Sequence, residues 1–205
     1  MPEVRGLYAL TPDELDTGRL LRLVGEVIAA GARLVQYRNK QAPPSLRLVQ
    51  ALGLHAMCQK AGVPLIINDD VELALETEAE GVHLGREDGD LRAARSRLGA
   101  KRLLGVSCYN ELEAAHRAVA AGGDYVAFGA AFPSGVKPSA VRAPLELYAR
   151  AKRELGVPVV AIGGIDRQNA RLLAEAGVDA VAVISGVFGE PDVAGSAAAI
   201  ARLWD

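Results

Sequence analysis

A short pattern that recurs five times along the chain constrains its fold more than any other feature. In each instance a helical stretch ends at a glycine, and a short apolar run follows at once. The five instances cover residues 30–34, 61–65, 121–125, 155–159 and 176–180. Glycine tolerates the left-handed backbone with which many helices end, so each instance predicts a helix end and a tight turn into a buried strand. The chain therefore repeats a helix–glycine–strand unit.

Eight apolar runs are predicted to be strands. They cover residues 6–10, 33–38, 65–68, 82–84, 103–107, 125–128, 159–162 and 180–184. They are continuous rather than alternating, as is typical of strands buried on both faces, and the amphipathic helices between them indicate a parallel sheet. Eight such units in 205 residues predict one α/β domain over residues 1–205, a (β/α)8 TIM barrel. A doubly wound open sheet is the alternative, although it would usually use fewer strands.

Composition excludes several classes of function. The net charge of −2 gives no general attraction to nucleic acid or to anionic membrane, and an aromatic content of 4% is too low for a base-stacking surface. No apolar run approaches the length of a membrane span, and we expect no signal peptide. Cys58 and Cys108 lack metal-ligand spacing and are interpreted as reduced thiols. We therefore expect a cytoplasmic protein that binds small molecules, and a homo-oligomer is compatible with the sequence.

The end of the second predicted strand carries an unusual row of polar side chains. Side chains alternate along a strand, so Gln36, Arg38 and Lys40 are predicted to share one face. Buried cations are costly unless an anion or a hydrogen-bonding partner meets them. The partner is therefore a carboxylate of the protein or a phosphate of a ligand, and the sequence does not assign an acidic residue to the row.

Other strand ends, where (β/α)8 barrels hold their active sites, also carry candidate ligands. Gly163-Gly164 and Ser185-Gly186 follow the seventh and eighth strands, the usual place for phosphate, although such glycines can also simply make tight turns. Lys137 lies in a loop shaped by flanking prolines, which is either an anion-binding flap or a solvated surface loop.

Asp69 and Asp88 are candidate Mg²⁺ ligands, because consecutive strand ends can place two carboxylates around one ion. Each has an alternative role: Asp69 as the cap of the next helix, and Asp88 as part of a turn before Gly89. Neighbouring acidic residues compete as ligands, namely Asp70, Glu87 and Asp90.

Seven motifs in order give the chain a close resemblance to the thiamine phosphate synthase family over nearly its whole length. They are QYRNK at 36–40, IIND at 66–69, GVHLGRED at 81–88, GVS at 105–107, FPSGVK at 132–137, VAIGGI at 160–165 and VIS at 183–185. The resemblance implies a transferase that joins a hydroxymethylpyrimidine diphosphate to a thiazole phosphate, or to its carboxylated tautomer. The products are thiamine phosphate and pyrophosphate.

The resemblance also implies the roles of individual residues. One Mg²⁺ per subunit is held by Asp69 and Asp88, while Arg38, Lys40 and Lys137 stabilise the departing pyrophosphate. The pyrimidine diphosphate is held by Gln36, Tyr37, Arg38, Asn39, Lys40, Asn68, Ser107 and Lys137. The thiazole phosphate is held by Ser134, Gly135, Val136, Gly164, Ile184 and Ser185.

Two departures from the family pattern keep alternative functions open. Val136 stands where the family usually has threonine, and Tyr109 stands where a histidine is often found. Related thiazole tautomerases use a histidine on this loop and typically lack the second metal aspartate, so Tyr109 and Asp88 favour the synthase over such an isomerase. Val136 is the one feature that hints at a non-catalytic thiazole phosphate-binding paralogue, and the retained charged residues argue against it.

Overall fold

Eight parallel strands close into a barrel in sequence order, with β8 paired to β1. The structure is a computed structural model that describes residues 2–86, 88–133 and 141–205. The strands are β1 Gly6–Leu10, β2 Leu34–Tyr37, β3 Leu65–Asn68, β4 Gly81–Leu84, β5 Leu103–Tyr109, β6 Tyr125–Gly129, β7 Val159–Ile162 and β8 Ala180–Val183. The predicted (β/α)8 barrel is confirmed, and the open sheet is excluded.

Helices alternate with these strands around the barrel. They are α1 Thr17–Ala29, α2 Pro44–Ala61, α3 Val71–Glu76, α4 Leu91–Leu98, α5 Leu112–Ala120, α6 Leu145–Glu154, α7 Ala170–Glu175, α8 Ser185–Phe188 and α9 Val193–Ala201, followed by a 3-10 turn over Arg202–Trp204. No described helix is long and apolar enough to cross a membrane.

The repeated glycine has the role that the sequence predicts. The glycine of all five units has a positive φ, between 65° and 103°, at Gly31, Gly62, Gly122, Gly156 and Gly177. A side chain with a Cβ rarely adopts this conformation, so glycine is the residue that lets each helix turn directly into the next strand. Several helix starts are fixed by aspartate: Asp16, Asp70, Asp90 and Asp192 each accept a hydrogen bond from a backbone N–H in the first turn.

Both faces of the strands are buried, as their continuous apolar sequences indicate. One cluster of side chains fills the space between strands and helices, and a second, smaller cluster that includes Tyr8, Leu34 and Tyr125 fills the barrel. The hydroxyls of Tyr8 on β1 and Tyr125 on β6 lie 2.9 Å apart, although these strands are not neighbours. Their contact therefore crosses the barrel interior.

Three carboxylates fasten the amino-terminal ends of alternate strands. Each belongs to the residue just before an even-numbered strand, accepts a hydrogen bond from a backbone N–H of the preceding strand, and also pairs with a basic side chain of a helix. The sets are Glu80 with Leu65 N and His55, Asp124 with Leu104 N and Arg95, and Asp179 with Val159 N and Lys152. The charged residues at the end of the barrel opposite the predicted site thus stabilise the fold by tying strands to helices.

We expect Asp124→Ala to lower the free energy of unfolding by about 2–3 kcal/mol, because the Leu104 N–H and Arg95 lose the carboxylate that satisfies them. Asp124→Asn keeps an oxygen acceptor for the N–H and is expected to lose less. Urea unfolding of both variants measures the difference. Equal losses in the two variants would show that the hydrogen bond from the Leu104 N–H adds nothing to stability beyond the ion pair with Arg95.

Candidate active site

The protein itself supplies carboxylates to the polar row that follows β2. Asp13, in the loop after β1, lies 3.2 Å from the Arg38 guanidinium and accepts a 2.7 Å hydrogen bond from the backbone N–H of Lys40. The Lys40 ammonium lies 3.5 Å from an oxygen of Asp69. Asp13 was not predicted as a site residue. Its position in the loop after β1 was a signal for a place at the barrel mouth, but not for its pairing with Arg38.

The three members of the row do not share one environment. β2 ends at Tyr37, one residue earlier than predicted, so Arg38 and Lys40 lie beyond the strand at the mouth of the barrel. The Gln36 side chain is 2% exposed and points into the barrel. Thr11 fixes the start of the loop, because its hydroxyl bonds to both the N–H and the carbonyl of Arg38 at 2.9 Å.

The two predicted metal ligands meet at the same mouth. The Asp88 carboxylate lies within hydrogen-bonding reach of Asp69, and it also accepts a 2.6 Å bond from the N–H of Gly85. The interpretation of Asp69 as a helix cap is wrong, because the cap of α3 is Asp70. Asp90 is likewise used as the cap of α4. Glu87, the remaining competitor, lies outside the described residues.

Electrostatics at this carboxylate pair favour a cation. Burial and the neighbouring Asp88 carboxylate raise the pKa of Asp69, and Lys40 partly offsets the rise. Within the described residues no group of three or more His, Cys, Asp or Glu side chains is arranged to hold a metal. A pair of carboxylates beside Arg38 and Lys40 has donors suited to Mg²⁺, which is commonly bound by one or two carboxylates together with water and substrate phosphates.

A chain of hydrogen bonds crosses the barrel below this mouth, and we call it the interior chain. The Gln36 amide donates to the Tyr8 hydroxyl at 2.8 Å, and that hydroxyl lies 2.9 Å from the Tyr125 hydroxyl. Tyr125 in turn lies 3.1 Å from His83 Nδ1. His83 Nε2 lies 2.9 Å from the Ser107 hydroxyl. The interior chain therefore connects two predicted substrate-binding residues, Gln36 and Ser107.

Both ring nitrogens of His83 take part in the interior chain. Burial lowers the pKa of His83 to about 4, against a weaker opposing influence of Asp88. The imidazole is consequently neutral at physiological pH, with one ring nitrogen as a donor and the other as an acceptor. The other two histidines, His55 and His116, lie on α2 and α5.

Tyr37 and Asn39 face the helices rather than the barrel interior. The Tyr37 hydroxyl donates a 2.8 Å hydrogen bond to Gln50 Oε1, and the Asn39 amide bonds to the same oxygen and to the carbonyl of Glu14. Both residues also line a cavity of about 410 Å³ that includes Asp69 of the carboxylate pair. Its other walls are Lys40, Ala42, Arg47, Ile67, Asn68, Asp69, Asp70 and Leu73. Binding of substrate by Tyr37 and Asn39 stays a prediction.

Three of the residues predicted to hold the thiazole phosphate, Gly164, Ile184 and Ser185, follow β7 and β8, on the side of the barrel opposite Asp69 and Asp88. Gly164 has φ of 67°, and a Cβ there would lie 2.5 Å from the carbonyl oxygen of Phe132, so glycine allows this close approach. Ile184 lies between β8 and α8, and Ser185 begins α8, a short helix that was not predicted from the sequence. The remaining predicted residues, Ser134, Gly135, Val136 and Lys137, lie outside the described residues.

The closed barrel and the charged groups gathered at its mouth define the class of this protein as a (β/α)8-barrel enzyme. Residues 7–187 match the family model described as thiamine monophosphate synthase. The chain is 55% identical to the thiamine-phosphate synthase of Aromatoleum aromaticum, with all of both chains covered. It is 54% identical to that of Chromobacterium violaceum, with 98% of this chain and 96% of the relative covered.

A solved structure agrees with these sequence relationships. The thiamine phosphate pyrophosphorylase of Pyrococcus furiosus superposes with a TM-score of 0.88 at 32% identity, covering 97% of this chain and 94% of that one. The chain belongs to the thiamine monophosphate synthase family.

Proposed function

We propose that this chain joins 4-amino-2-methyl-5-(diphosphooxymethyl)pyrimidine to 4-methyl-5-(2-phosphooxyethyl)thiazole, giving thiamine phosphate and pyrophosphate. Where the carboxylated tautomer of the thiazole is the substrate, CO2 is released as well. The observation that carries the proposal is the meeting of Asp69 and Asp88 beside Arg38 and Lys40 at the barrel mouth. That arrangement suits a diphosphate bound together with a divalent cation. The full-length similarity to named synthases supports the same activity. A biosynthetic role in the cytoplasm is part of the proposal.

Asp69 and Asp88 would hold one Mg²⁺ per subunit, which when bound supplies positive charge to the diphosphate oxygens. Arg38 would contact the same diphosphate from the β2 side, held in place by Asp13. Lys40, which lies 3.5 Å from Asp69, is placed to contact both the metal ligands and the leaving group. Lys137 would add a third cation from the loop after β6.

The reaction requires little proton transfer from the protein. The amino group of the pyrimidine stabilises a methylene cation, so the C–O bond can break and its electron pair can leave with pyrophosphate. The lone pair of the thiazole nitrogen then forms the new C–N bond. The task of the protein is to stabilise the departing charge and to align the two rings. His83 is buried and neutral, and no step of the proposed reaction needs it as a general base.

The thiazole phosphate would bind across the barrel from Asp69 and Asp88. Its contacts would be Gly164, Ile184, Ser185 and the loop that contains Ser134, Gly135 and Val136. Backbone N–H groups are suitable donors to phosphate at such turns. Val136 removes a hydroxyl that the family usually offers, so backbone contacts would carry this part of the binding.

One experiment separates the proposed synthase from the two alternative functions. The purified protein is incubated with Mg²⁺ and with each substrate alone or both together, and the products are identified by mass spectrometry. We expect thiamine phosphate only when both substrates are present. Conversion of the thiazole tautomer alone would indicate the isomerase, and binding of thiazole phosphate without any product would indicate the non-catalytic paralogue.

Asp13 gives a prediction that arises from the structure alone. We expect Asp13→Ala to lower kcat about tenfold, because Arg38 loses its ion pair and the Lys40 N–H loses its acceptor. Asp13→Asn keeps an acceptor for that N–H and should retain more activity. Steady-state kinetics of the two variants measure the difference, and an Asp13→Ala enzyme with normal kcat would show that the loop holds its shape without this carboxylate.

A further inference from the structure

We propose that Gln50 on α2 is a positioning residue, which holds Arg38 in place at the barrel mouth. It acts through Tyr37 and Asn39, the two residues that flank Arg38 in the chain. These two then serve the site by fixing the backbone on either side of Arg38, and not by contacting the pyrimidine diphosphate as the resemblance implies. The inference rests on the proposed function, in which Arg38 meets the diphosphate.

Gln50 is a polar residue on the buried face of α2. It is 0% exposed, and the other buried residues of this helix are Ala51, Leu54 and Cys58, all of which belong to the apolar cluster between strands and helices. A buried amide is costly unless its polar atoms are hydrogen-bonded. The contacts of this amide therefore indicate why the helix carries it.

The Gln50 side chain joins the loops that follow β1 and β2. Its Oε1 accepts a 2.8 Å hydrogen bond from the Tyr37 hydroxyl and a 3.0 Å bond from the Asn39 amide. Its Nε2 donates a 2.8 Å bond to the carbonyl of Glu14, and the Asn39 amide donates to the same carbonyl at 2.7 Å. One buried side chain of a helix thus connects two loops of the mouth.

Backbone groups settle the orientation of both amides. A backbone carbonyl only accepts, so Gln50 and Asn39 each present their NH2 group to the Glu14 carbonyl. A backbone N–H only donates, so the oxygen of Asn39 is the atom that faces the N–H groups of Gln41 and Ala42, at 3.3 and 3.1 Å. The second hydrogen of the Asn39 NH2 then goes to Gln50 Oε1.

This arrangement commits the polar groups of Tyr37 and Asn39. Asn39 uses both NH2 hydrogens on Glu14 and Gln50, and its oxygen accepts from two backbone N–H groups. The Tyr37 hydroxyl gives its single hydrogen to Gln50 Oε1, which can only accept. Tyr37 is 2% exposed and Asn39 is 5% exposed. Although both line the cavity, neither has a hydrogen left to donate to a ligand.

The consequence falls on Arg38, whose two chain neighbours are both held by Gln50. The Arg38 side chain, by contrast, is 25% exposed and pairs with Asp13. Asp13 precedes Glu14, so the hydrogen bonds to the Glu14 carbonyl also hold the segment that presents this carboxylate. One buried side chain thus places the cation and its partner before any diphosphate binds.

A double-mutant cycle on the binding of pyrophosphate tests the inference. Gln50→Met keeps the length and the neutral charge of the side chain but removes its acceptor and its donor. It is made alone and together with Arg38→Ala, and the dissociation constant of pyrophosphate with Mg²⁺ is measured by isothermal titration calorimetry. Tyr37→Phe, which removes a single hydroxyl, is carried through the same cycle and keeps the test decisive where Gln50→Met does not fold.

Two controls match these variants. Gln59→Met makes the same replacement at an exposed position of α2. Tyr148→Phe removes another buried hydroxyl, which donates to the carbonyl of Phe128. We expect both controls to bind pyrophosphate as the wild-type protein does. A loss in Tyr148→Phe equal to that in Tyr37→Phe would assign the effect to a general loss of stability and would overturn the inference.

We expect Gln50→Met to raise the dissociation constant about tenfold and Tyr37→Phe about threefold when Arg38 is present. In the Arg38→Ala background both effects should fall below about twofold, because the residue through which they act is gone. Equal effects in the two backgrounds, or unchanged binding in folded variants, overturn the inference. A wild-type protein that binds pyrophosphate but forms no thiamine phosphate would instead contradict the proposed function, so the two failures are distinguishable.

Discussion

Replacing Asp69 with asparagine is expected to lower kcat for the condensation about a thousandfold, because a carboxylate that would hold Mg²⁺ beside the diphosphate is lost. Asparagine is the informative substitution, since Asp69 has φ of 64° and asparagine tolerates this left-handed conformation better than alanine does. Asp88→Asn is expected to have a similar effect while it keeps an oxygen acceptor for the Gly85 N–H. The measurement is kcat as a function of Mg²⁺ concentration.

Asp90→Asn is the matched control for these two variants. Asp90 lies two residues from Asp88, but its side chain caps α4, and asparagine caps helices about as well. We expect this variant to keep the wild-type kcat and Mg²⁺ dependence. Wild-type activity in Asp69→Asn, or a loss in Asp90→Asn equal to that in Asp88→Asn, would show that the metal ligands have been wrongly assigned.

Arg38→Ala is expected to lower kcat about a hundredfold, because a fixed cation no longer meets the charge that develops on pyrophosphate. Arg38→Lys should recover part of the loss, since lysine restores the charge without the planar fork that Asp13 holds at 3.2 Å. Both variants are measured by steady-state kinetics with saturating substrates. A loss confined to KM would place Arg38 in ground-state binding and remove it from stabilisation of the leaving group.

Arg33→Ala provides the control for a general effect of charge. Arg33 precedes the same strand at its other end and pairs with the exposed Asp205. We expect its removal to leave kcat unchanged. A comparable fall in both arginine variants would mean that net charge, rather than the position of Arg38, controls the rate.

The fold could be predicted from the sequence because one local signal was repeated along the chain. The five glycines at the helix ends all adopt positive φ, and the continuous apolar strands are buried on both faces. The ends of strands and helices were harder to predict where the hydrogen bonding between strands becomes irregular. β5 runs on to Tyr109 through a shift of register after Ser107, and neither the shift nor the short helix α8 has a periodic signature.

The sequence pointed to residues that gather at the barrel mouth, while their roles stay predictions and their contacts could not be predicted. Their positions after consecutive strands singled out Asp69 and Asp88, and the structure brings the two side chains together. The partner of Arg38 could not be predicted, because Asp13 is 25 residues away and the contact depends on the neighbouring position of β1 and β2 in the closed barrel. Tyr8 and Tyr125 were missed for the same reason, since strand alternation gives the face of each residue but not its partner across the barrel.

The most direct test of the account is a quantitative assay of the wild-type protein with both substrates, before and after removal of divalent cations. We predict thiamine phosphate and pyrophosphate in equal amounts when Mg²⁺ is present, no product with a chelator, and full recovery when Mg²⁺ is added back. Undiminished synthesis in the chelator, or release of pyrophosphate without thiamine phosphate, would contradict the assignment of the barrel mouth as a metal-dependent condensation site.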